Sequence, residues 1–389
     1  MKKTFTLLLS AICLQLFSQT YTITVYNTQN SGIASNNIQD FKLKNGTMWI
    51  VTNAGLTKMV GTTFTNYNNV PVGSDPLNKV AIGTNNNVFM STYATGFIKY
   101  NGSAFTTYTT SNSQLPNNSI NDMATDSAGN LWLACPNGLV KFNGTTFTTY
   151  MSGAQVNSLG IDQSDNVYFA INGMLRKINA NGAIADVTDG VYKILRATTS
   201  GIYISTGDGL GKIVGNQYEY LHWMGGNSCL ADCGLSTADV DNTGDLWLGL
   251  MPNCANGGVQ RFTDCITYSP QNSALPNPHI TSIDATSSTT VWAGTQEGGL
   301  VKFSTNLEAE DFEAKTFSVF PNPAKNSFQI ENSQDIVSIS FYDIRGVVVK
   351  TITSEFDNSI DVSGLGSGIY LLQAATADGK FFAKRFVKE

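Results

Sequence analysis

Residues 119–150 read SINDMATDSAGNLWLACPNGLVKFNGTTFTTY, and this stretch decides the fold. Short apolar segments in it are separated by turns at Asp126-Ser-Ala-Gly129, Pro136-Asn-Gly138 and Asn143-Gly144. Turns of the Asn-Gly and Asp-x-x-Gly kinds between alternating apolar residues are typical of β-hairpins. The stretch therefore predicts a meander of four short strands. Because so small a sheet buries little apolar surface alone, we expect it to pack against further copies of itself.

Copies of the stretch recur along the chain at intervals of 35 to 45 residues. The aromatic position of the second strand is occupied in turn by Trp49, Phe89, Trp132, Tyr168, Tyr203, Trp247 and Trp292. Four strands and one aromatic residue in each unit of about 40 residues are the pattern of propeller blades. The seventh unit lacks its own fourth strand, and a spare copy, YTITVY, occupies residues 21–26. We therefore predict an all-β, seven-bladed β-propeller over residues 19–303, closed by an N-terminal strand.

The segments outside the propeller differ in composition. Residues 1–18 combine Lys2 and Lys3 with a short apolar run, which predicts a secretory signal peptide, with a membrane anchor as the alternative. Residues 304–315 form an acidic linker, and residues 316–389 alternate in the manner of a small β-sandwich. No other apolar run is long enough for a membrane span. The net charge of −6 without a basic stripe argues against nucleic acid as a partner.

One position near the start of each unit is polar. Its occupants are Asp40, Lys79, Asp122, Ser158, Lys193, Thr237 and Ser282. One interpretation places them at a solvated rim of the blades, and the other places them in a ring around the central channel. Their mixed charges argue against a focused site for an anion or a cation.

A binding site is predicted where the blade pattern is interrupted. Residues 221–227, LHWMGGN, depart from the short polar connections of the other units. A Trp in a loop on a rigid scaffold offers a large contact area at little entropic cost, although Trp223 could instead pack over the sixth unit. The predicted ligand-binding residues are His222, Trp223, Asp40, Asp122 and Lys193.

Four cysteines lie in or just before the sixth unit, namely Cys229, Cys233, Cys254 and Cys265. Cys229, Cys233 and Cys254 could form a disulfide in an exported protein, or could bind a metal. Structural zinc sites space their ligands in tighter pairs, so we favour a disulfide from Cys229 or Cys233 to Cys254 and predict no metal site. The Asp126-x-x-Gly129-x-x-Trp132 spacing could indicate a calcium loop. It lacks the alternating oxygen ligands and the distal Glu of such loops, so we interpret it as structural.

The repeat resembles the propeller repeat of hybrid two-component regulators, through Gly129-Asn-Leu-Trp132 followed by Gly138-Leu-Val-Lys-Phe142. The resemblance covers residues 20–303 and implies the fold, together with ligand or protein binding. Because no kinase follows in this sequence, the signalling role of that family does not carry over.

The last part of the chain resembles the type A C-terminal sorting domain of the type IX secretion system. The matching segments in residues 316–389 begin with Val319-Phe-Pro-Asn-Pro323 and Tyr342-Asp-Ile-Arg-Gly346, and end with the strand that contains Lys384. The resemblance implies export to the periplasm, passage through the secretion machinery, removal of the domain by its sortase, and then release or attachment to surface lipopolysaccharide. The alternative is an accessory ligand-binding β-sandwich.

Two classes of function remain open. We favour a secreted or surface-displayed binding or adhesion protein for an unknown glycan or protein. The alternative is a glycan- or peptide-directed hydrolase or lyase with its site on the propeller face. Propeller enzymes use channel-facing acids, bases or metal ligands, whereas Glu219 and Glu297 are the only glutamates between residues 19 and 307. We therefore expect no catalytic residues, no cofactor and no enzymatic activity.

Overall fold

The computed structural model describes residues 21–179, 182–198, 200–207, 209–215, 217–223, 234–252, 257–305, 318–331, 336–343, 347–353, 359–376 and 381–389. The chain divides into two compact units, one up to Leu307 and the other from Glu308. Both units are built from antiparallel strands, which confirms the all-β class. The helical part of the described chain is a single 3₁₀ turn at Thr84–Asn86.

The first unit contains seven four-stranded sheets among its described residues, each running outward from the strand named first. Blades one to three consist of β2 (Ile38–Lys44), β3 (Thr47–Thr52), β4 (Gly55–Val60) and β5 (Thr63–Tyr67); β6 (Leu77–Ile82), β7 (Val88–Thr92), β8 (Phe97–Tyr100) and β9 (Phe105–Tyr108); and β10 (Asp122–Thr125), β11 (Leu131–Cys135), β12 (Gly138–Phe142) and β13 (Phe147–Tyr150).

Blades four to six follow the same plan. They consist of β14 (Val156–Ile161), β15 (Val167–Ile171), β16 (Met174–Ile178) and β17 (Ile184–Asp189); β18 (Val191–Thr198), β19 (Gly201–Thr206), β20 (Gly209–Val214) and β21 (Gln217–Trp223); and β22 (Leu235–Val240), β23 (Leu246–Leu250), β24 (Val259–Arg261) and β25 (Ile266–Tyr268).

Blade seven uses strands from both ends of the propeller. Its inner strands are β26 (Ile280–Ser287), β27 (Thr290–Thr295) and β28 (Leu300–Thr305), and its outer strand is β1 (Tyr21–Tyr26). β1 pairs with β28 from Tyr21↔Thr305 to Tyr26↔Leu300, so the prediction of an N-terminal closing strand is confirmed. The innermost strands contact one another in chain order, and β26 contacts β2. The blades therefore form a closed ring.

The aromatic position of each blade is buried between neighbouring sheets. All seven aromatic side chains predicted for this position are less than a tenth exposed. In blade three Trp132 pairs with Lys141 of the next strand, whose ammonium lies 5.1 Å from the ring centroid. Burial of one large ring per blade supplies much of the apolar contact between sheets. The aromatic residue that recurs in the sequence is therefore the residue that packs neighbouring blades together.

The second unit is a small two-sheet sandwich, as predicted. One sheet contains β29 (Ser318–Phe320), β30 (Ser327–Glu331) and β33 (Ile360–Asp361), and the other contains β31 (Ile336–Tyr342), β32 (Val348–Ile352), β34 (Gly368–Thr376) and β35 (Phe381–Lys388). Its core contains Phe328, Phe341 and Phe386, each almost completely buried. β28 continues through the buried Thr305, so the predicted linker starts two residues too early.

Candidate ligand-binding channel

The innermost strands carry the predicted polar position toward the axis of the propeller. We call its seven occupants the polar ring: Asp40, Lys79, Asp122, Ser158, Lys193, Thr237 and Ser282. All except Ser158 line one cavity of about 320 Å³. The structure therefore brings together three of the five predicted ligand-binding residues, Asp40, Asp122 and Lys193.

Asp40 joins blade one to blade two. One carboxylate oxygen accepts the backbone N–H of Phe41 at 3.0 Å, and the other accepts that of Val80 at 3.1 Å. Val80 belongs to β6, the innermost strand of the next blade. Asp40 is 5% exposed, and both of its oxygens have a partner that satisfies part of their hydrogen-bonding capacity. This aspartate is therefore a structural residue as well as a lining residue.

The same relationship recurs in two further blades. Asp122 accepts the N–H of Met123 at 2.9 Å and that of Leu159, in blade four, at 3.1 Å. Ser158 Oγ accepts the N–H of Ile194, in blade five, at 2.9 Å. These three side chains lie on innermost strands and bridge neighbouring blades, and Asp40 and Asp122 also line the cavity.

A second ring consists of the residues on the innermost strands that pair with the aromatic residue of the second strand. Its seven occupants, read from the strand register, are Lys42, Ala81, Ala124, Gly160, Arg196, Asp239 and Asp284. Blades two to four contribute only small side chains, and Ala81, Ala124 and Gly160 line the cavity. The charged side chains of this ring come from blades five, six, seven and one. The second ring therefore has small residues on one side and charged residues on the other.

The charged side of the second ring is a network of ions. Arg196 Nε donates to Asp239 at 2.8 Å, and Asp239 also accepts the N–H of Ala285, in blade seven, at 2.9 Å. Lys42 Nζ lies 4.0 Å from a carboxylate oxygen of Asp40, and that carboxylate raises the pKa of Lys42. Asp239 joins blades six and seven as Asp40 joins blades one and two. It does so from the second ring because Thr237 and Ser282 occupy the polar ring there.

Lys193 is the most electrostatically perturbed lysine of the polar ring. Its ammonium donates to the carbonyl oxygen of Ser236 at 2.5 Å. Burial, and then the charge of Lys79, lower the pKa of Lys193 to about 8, against the opposing effects of Asp122 and Asp40. An anion bound close to Lys193 would stabilise its protonated amine, because an opposite charge favours the charged form.

His222 and Trp223 are placed elsewhere. They end β21, the outermost strand of blade five, where they pair with Leu210 and Gly209. The expectation that residues 221–223 form an irregular loop is wrong, because the blade strand continues through Trp223. The channel residues lie on innermost strands, so the backbone does not bring Trp223 next to them. The side chains of His222 and Trp223 lie outside the described residues.

The predicted disulfide also lies outside the described residues, since residues 224–233 and 253–256 include Cys229, Cys233 and Cys254. Among the described cysteines, Cys265 is in a disulfide, and Cys135 is a buried free thiol whose pKa burial raises to about 12. In the described part of the chain, no three His, Cys, Asp or Glu side chains are grouped as a metal site would require.

Asp126 uses its carboxylate for the turn and for the aromatic position. It accepts the backbone N–H of Asn130 at 2.8 Å and Trp132 Nε1 at 3.0 Å, and Asn130 Nδ2 also donates to it. Gly129 has φ +85°, which glycine adopts without strain. Asp241 and Trp247 repeat the contact in blade six, at 3.1 Å. These interactions support the structural interpretation of the Asp-x-x-Gly-x-x-Trp spacing.

Sequence reasoning missed the charged half of the second ring. The available signal was the position that pairs with each aromatic residue, two residues beyond the polar position in most blades. In blade five a β-bulge between Ile194 and Arg196 moves that position by one residue. Simple spacing therefore selects Leu195 instead of Arg196.

Family models match two parts of the chain. Residues 114–137 match the two-component regulator propeller, and residues 318–389 match the secretion system C-terminal sorting domain. Residues 318–389 are a type IX sorting domain. The sorting domain indicates secretion to the cell surface, so the protein is an exported surface propeller. Within the described chain, no helix has the length and apolarity needed to cross a bilayer.

Solved structures with the same fold include three informative neighbours. PorZ, a surface component of the type IX secretion system of Porphyromonas gingivalis, is 14% identical, with a TM-score of 0.55 over 94% of this chain and 60% of PorZ. The extracellular domain of the hybrid two-component system BT3049 from B. thetaiotaomicron is 17% identical, with a TM-score of 0.58 over 94% of this chain and 54% of that domain. Virginiamycin B lyase from Staphylococcus aureus is 14% identical, with a TM-score of 0.57 over 73% of this chain and 99% of the lyase.

These likenesses show the fold, and the chain spans little more than half of the PorZ and BT3049 chains that it matches. No curated protein matches the sequence.

Proposed function

We propose that this sorting-domain protein is a binding protein whose propeller holds a ligand in its central channel. The observation that carries the proposal is the convergence of Asp40, Asp122 and Lys193 on one cavity of about 320 Å³. This volume lies at the lower end of the range typical of small-molecule sites, about 300–1,000 Å³. The channel therefore suits a small ligand or one residue of a larger chain.

Binding is favoured over catalysis by the hydrogen bonds of the lining acids. Asp40 and Asp122 each accept two backbone N–H groups, and one of these comes from the next blade. Both carboxylates are therefore engaged in holding neighbouring blades together. The likeness to virginiamycin B lyase concerns the fold, so lyase or hydrolase activity is the alternative that an experiment has to test.

A steric variant tests the proposed site without changing its charge. Ala124 lines the cavity, and Ala124→Leu should fill part of it while the ring stays closed. Ala104→Leu is the matched control, because Ala104 is exposed in a turn of blade two. The secreted protein is screened on glycan and peptide arrays, and the best ligand is titrated against all three proteins.

We expect Ala124→Leu to weaken binding at least tenfold, about 1.4 kcal/mol, with an unchanged melting temperature. Equal binding by Ala124→Leu and Ala104→Leu would show that the ligand does not bind in the channel. Conversion of an array ligand into product by the wild type, but not by Ala124→Leu, would establish the enzymatic alternative instead.

The sorting domain is assigned the secretion machinery and its sortase as partners. Because residues 308–389 form a compact unit of their own, deletion of residues 316–389 should leave the propeller folded. We expect the truncated protein to accumulate in the periplasm, with the melting temperature of the mature surface form. Normal amounts of truncated protein at the cell surface would contradict the sorting role.

A further inference from the structure

The charged residues that line the channel are predominantly hydrogen-bond donors. Five cations line the cavity, namely Lys42, Lys44, Lys79, Lys193 and Arg196, and the two lining carboxylates belong to Asp40 and Asp122. As shown by their backbone contacts, both carboxylates already accept N–H groups from two blades. The two lining carboxylates are therefore too few to pair with all five lining cations.

Among the residues that the structure describes, Lys79 and Lys193 form no ion pair with a carboxylate. They belong to blades two and five, and the ion pairs among the described residues involve other side chains. Lys193 donates one hydrogen bond to the carbonyl oxygen of Ser236, which leaves two of its three ammonium hydrogens. Both side chains line the same cavity, and burial and then the charge of Lys79 disfavour the protonated form of Lys193.

The second ring does not neutralise this pair. Its cations Lys42 and Arg196 are balanced by Asp239 and Asp284, which belong to the same ring. The second ring is therefore electrically neutral, and the fifth cation, Lys44, donates to the carbonyl oxygens of Ile82 and Gly83. The aspartates of the polar ring bridge blades, so the mixed charges at this position do not exclude an anion beside its lysines.

We infer that the channel binds the acid group of an anionic ligand, a carboxylate, sulfate or phosphate, between Lys79 and Lys193. The inference rests on the proposed function and names its ligand class. An oxyanion between the two lysines would accept hydrogen bonds from both and would remove their mutual repulsion. Hydrogen bonds between ions are shorter and stronger than those between neutral groups. Asp40 and Asp122, on the blades either side of Lys79, line the same cavity and disfavour an oxyanion bound next to them.

The test compares two sugars that differ only in the acid group. Sodium glucuronate and glucose are titrated against the secreted protein by calorimetry, with inorganic sulfate and inorganic phosphate as further probes. We expect saturable binding of glucuronate, at least tenfold weaker binding of glucose, and competition by whichever inorganic acid the pocket prefers. The competing ion then identifies the kind of acid group.

Variants assign the binding to the two lysines. Lys79→Met and Lys193→Met should each weaken glucuronate binding at least tenfold. Lys212→Met is the matched control, because Lys212 belongs to blade five but lies over the ring of Tyr203, outside the cavity. We expect this control to bind as the wild type does, and we expect none of the three variants to melt at a lower temperature than the wild type.

The dependence on pH supplies an independent readout. The charged groups that line the cavity with Lys193 are Asp40, Lys42, Lys44, Lys79, Asp122 and Arg196, and those that act on its pKa are Lys79, Asp122 and Asp40. Glucuronate affinity should be constant below pH about 8 and should fall above it, as Lys193 loses its proton. In Lys193→Arg the guanidinium stays charged, so the affinity should no longer fall there.

Several outcomes would overturn the inference. One is equal affinity for glucose and glucuronate, and another is no saturable binding of glucuronate, sulfate or phosphate. A third is full binding by Lys79→Met and Lys193→Met. A neutral array ligand that Ala124→Leu rejects would refute the anionic class and leave the channel function standing. Array ligands that Ala124→Leu binds normally would refute the channel function itself.

Discussion

Asp122 accepts the backbone N–H of Leu159 at 3.1 Å, and this hydrogen bond joins the innermost strands of blades three and four. Asp40 has the same relationship to Val80, and Ser158 has it to Ile194. Each of these hydrogen bonds holds one blade against the next at their innermost strands, beside the channel. The residues that line the channel therefore also determine how its wall is assembled.

Removing the carboxylate of Asp122 should destabilise the ring. Asp122→Ala leaves the N–H groups of Leu159 and Met123 without their acceptor near the channel, which costs about 1–3 kcal/mol for each buried group that water does not reach. We expect a lower midpoint in chemical denaturation with an unchanged slope. Asp186→Ala is the control, because Asp186 forms only an exposed ion pair with Arg176 and should change stability by less than about 1 kcal/mol. Equal midpoints for the two variants would show that the bridge contributes nothing.

The closing strand should be as important as any blade strand. The ring of Tyr21 packs edge-on against Trp247 at 5.1 Å, and its hydroxyl donates to the carbonyl oxygen of Ser288 at 2.5 Å. Tyr21→Ala should lower the unfolding free energy by about 3–5 kcal/mol, as other large-to-small core substitutions do. Thr24→Ala, at an exposed position of the same strand, is the control. Deletion of residues 19–27 should expose the edge of β28 and cause aggregation, whereas a soluble protein with normal melting would refute closure by β1.

Much of the fold follows from the sequence because inter-blade packing repeats with the chain. The aromatic positions and the spare strand at residues 21–26 are local patterns, and both predict their structures correctly. The register of blade five could not be predicted, because a β-bulge after Ile194 shifts the pairing by one residue. Arg196, and not Leu195, therefore pairs with Tyr203 and belongs to the second ring. The outer strand of the same blade is longer than those of blades two and three, so Trp223 belongs to a strand that the repeat did not predict. Side chains brought together from different blades, such as Lys79 and Lys193, have no local pattern at all.

Trp132 should contribute to stability through both its ring and its N–H group. Trp132→Ala removes a side chain that is 4% exposed and should cost about 3–5 kcal/mol. Trp132→Phe keeps an aromatic ring but loses the hydrogen bond to Asp126, and should cost about 1 kcal/mol more than a neutral substitution. Because N–H donors occupy the carboxylate of Asp126, a chelator should not change the melting temperature. Stabilisation by added calcium would contradict the structural interpretation of this turn.

The cysteines near blade six remain predicted partners. In the antiparallel order of each blade, the connection between the second and third strands and the connection to the next blade leave the same face. Cys254 belongs to the first kind of connection and Cys229 and Cys233 to the second, so a disulfide from either to Cys254 would join two loops of that face. Peptide mapping of the secreted protein without reductant should find this disulfide. Because Cys265 is in a disulfide, pairing of Cys254 with Cys265, or a free thiol at Cys254, would disprove it.

The pKa of Lys193 should also be visible in the stability of the ligand-free protein. The pKa is about 8 in the folded protein and 10.5 ordinarily, so the folded state disfavours the protonated amine. Below pH 8 the amine is protonated in both states and the destabilisation is fully present. Between pH 8 and 10.5 the unfolded chain binds more protons than the folded one, so the contribution of Lys193 to stability rises with pH. The difference in unfolding free energy between the wild type and Lys193→Met should therefore shift in favour of the wild type across this interval. Lys212→Met, which removes a lysine of the same blade outside the cavity, controls for the loss of one charge. A difference that stays constant from pH 7 to 10.5 would mean that Lys193 is exposed to solvent and not buried in the wall of the cavity, and would remove it from the proposed site.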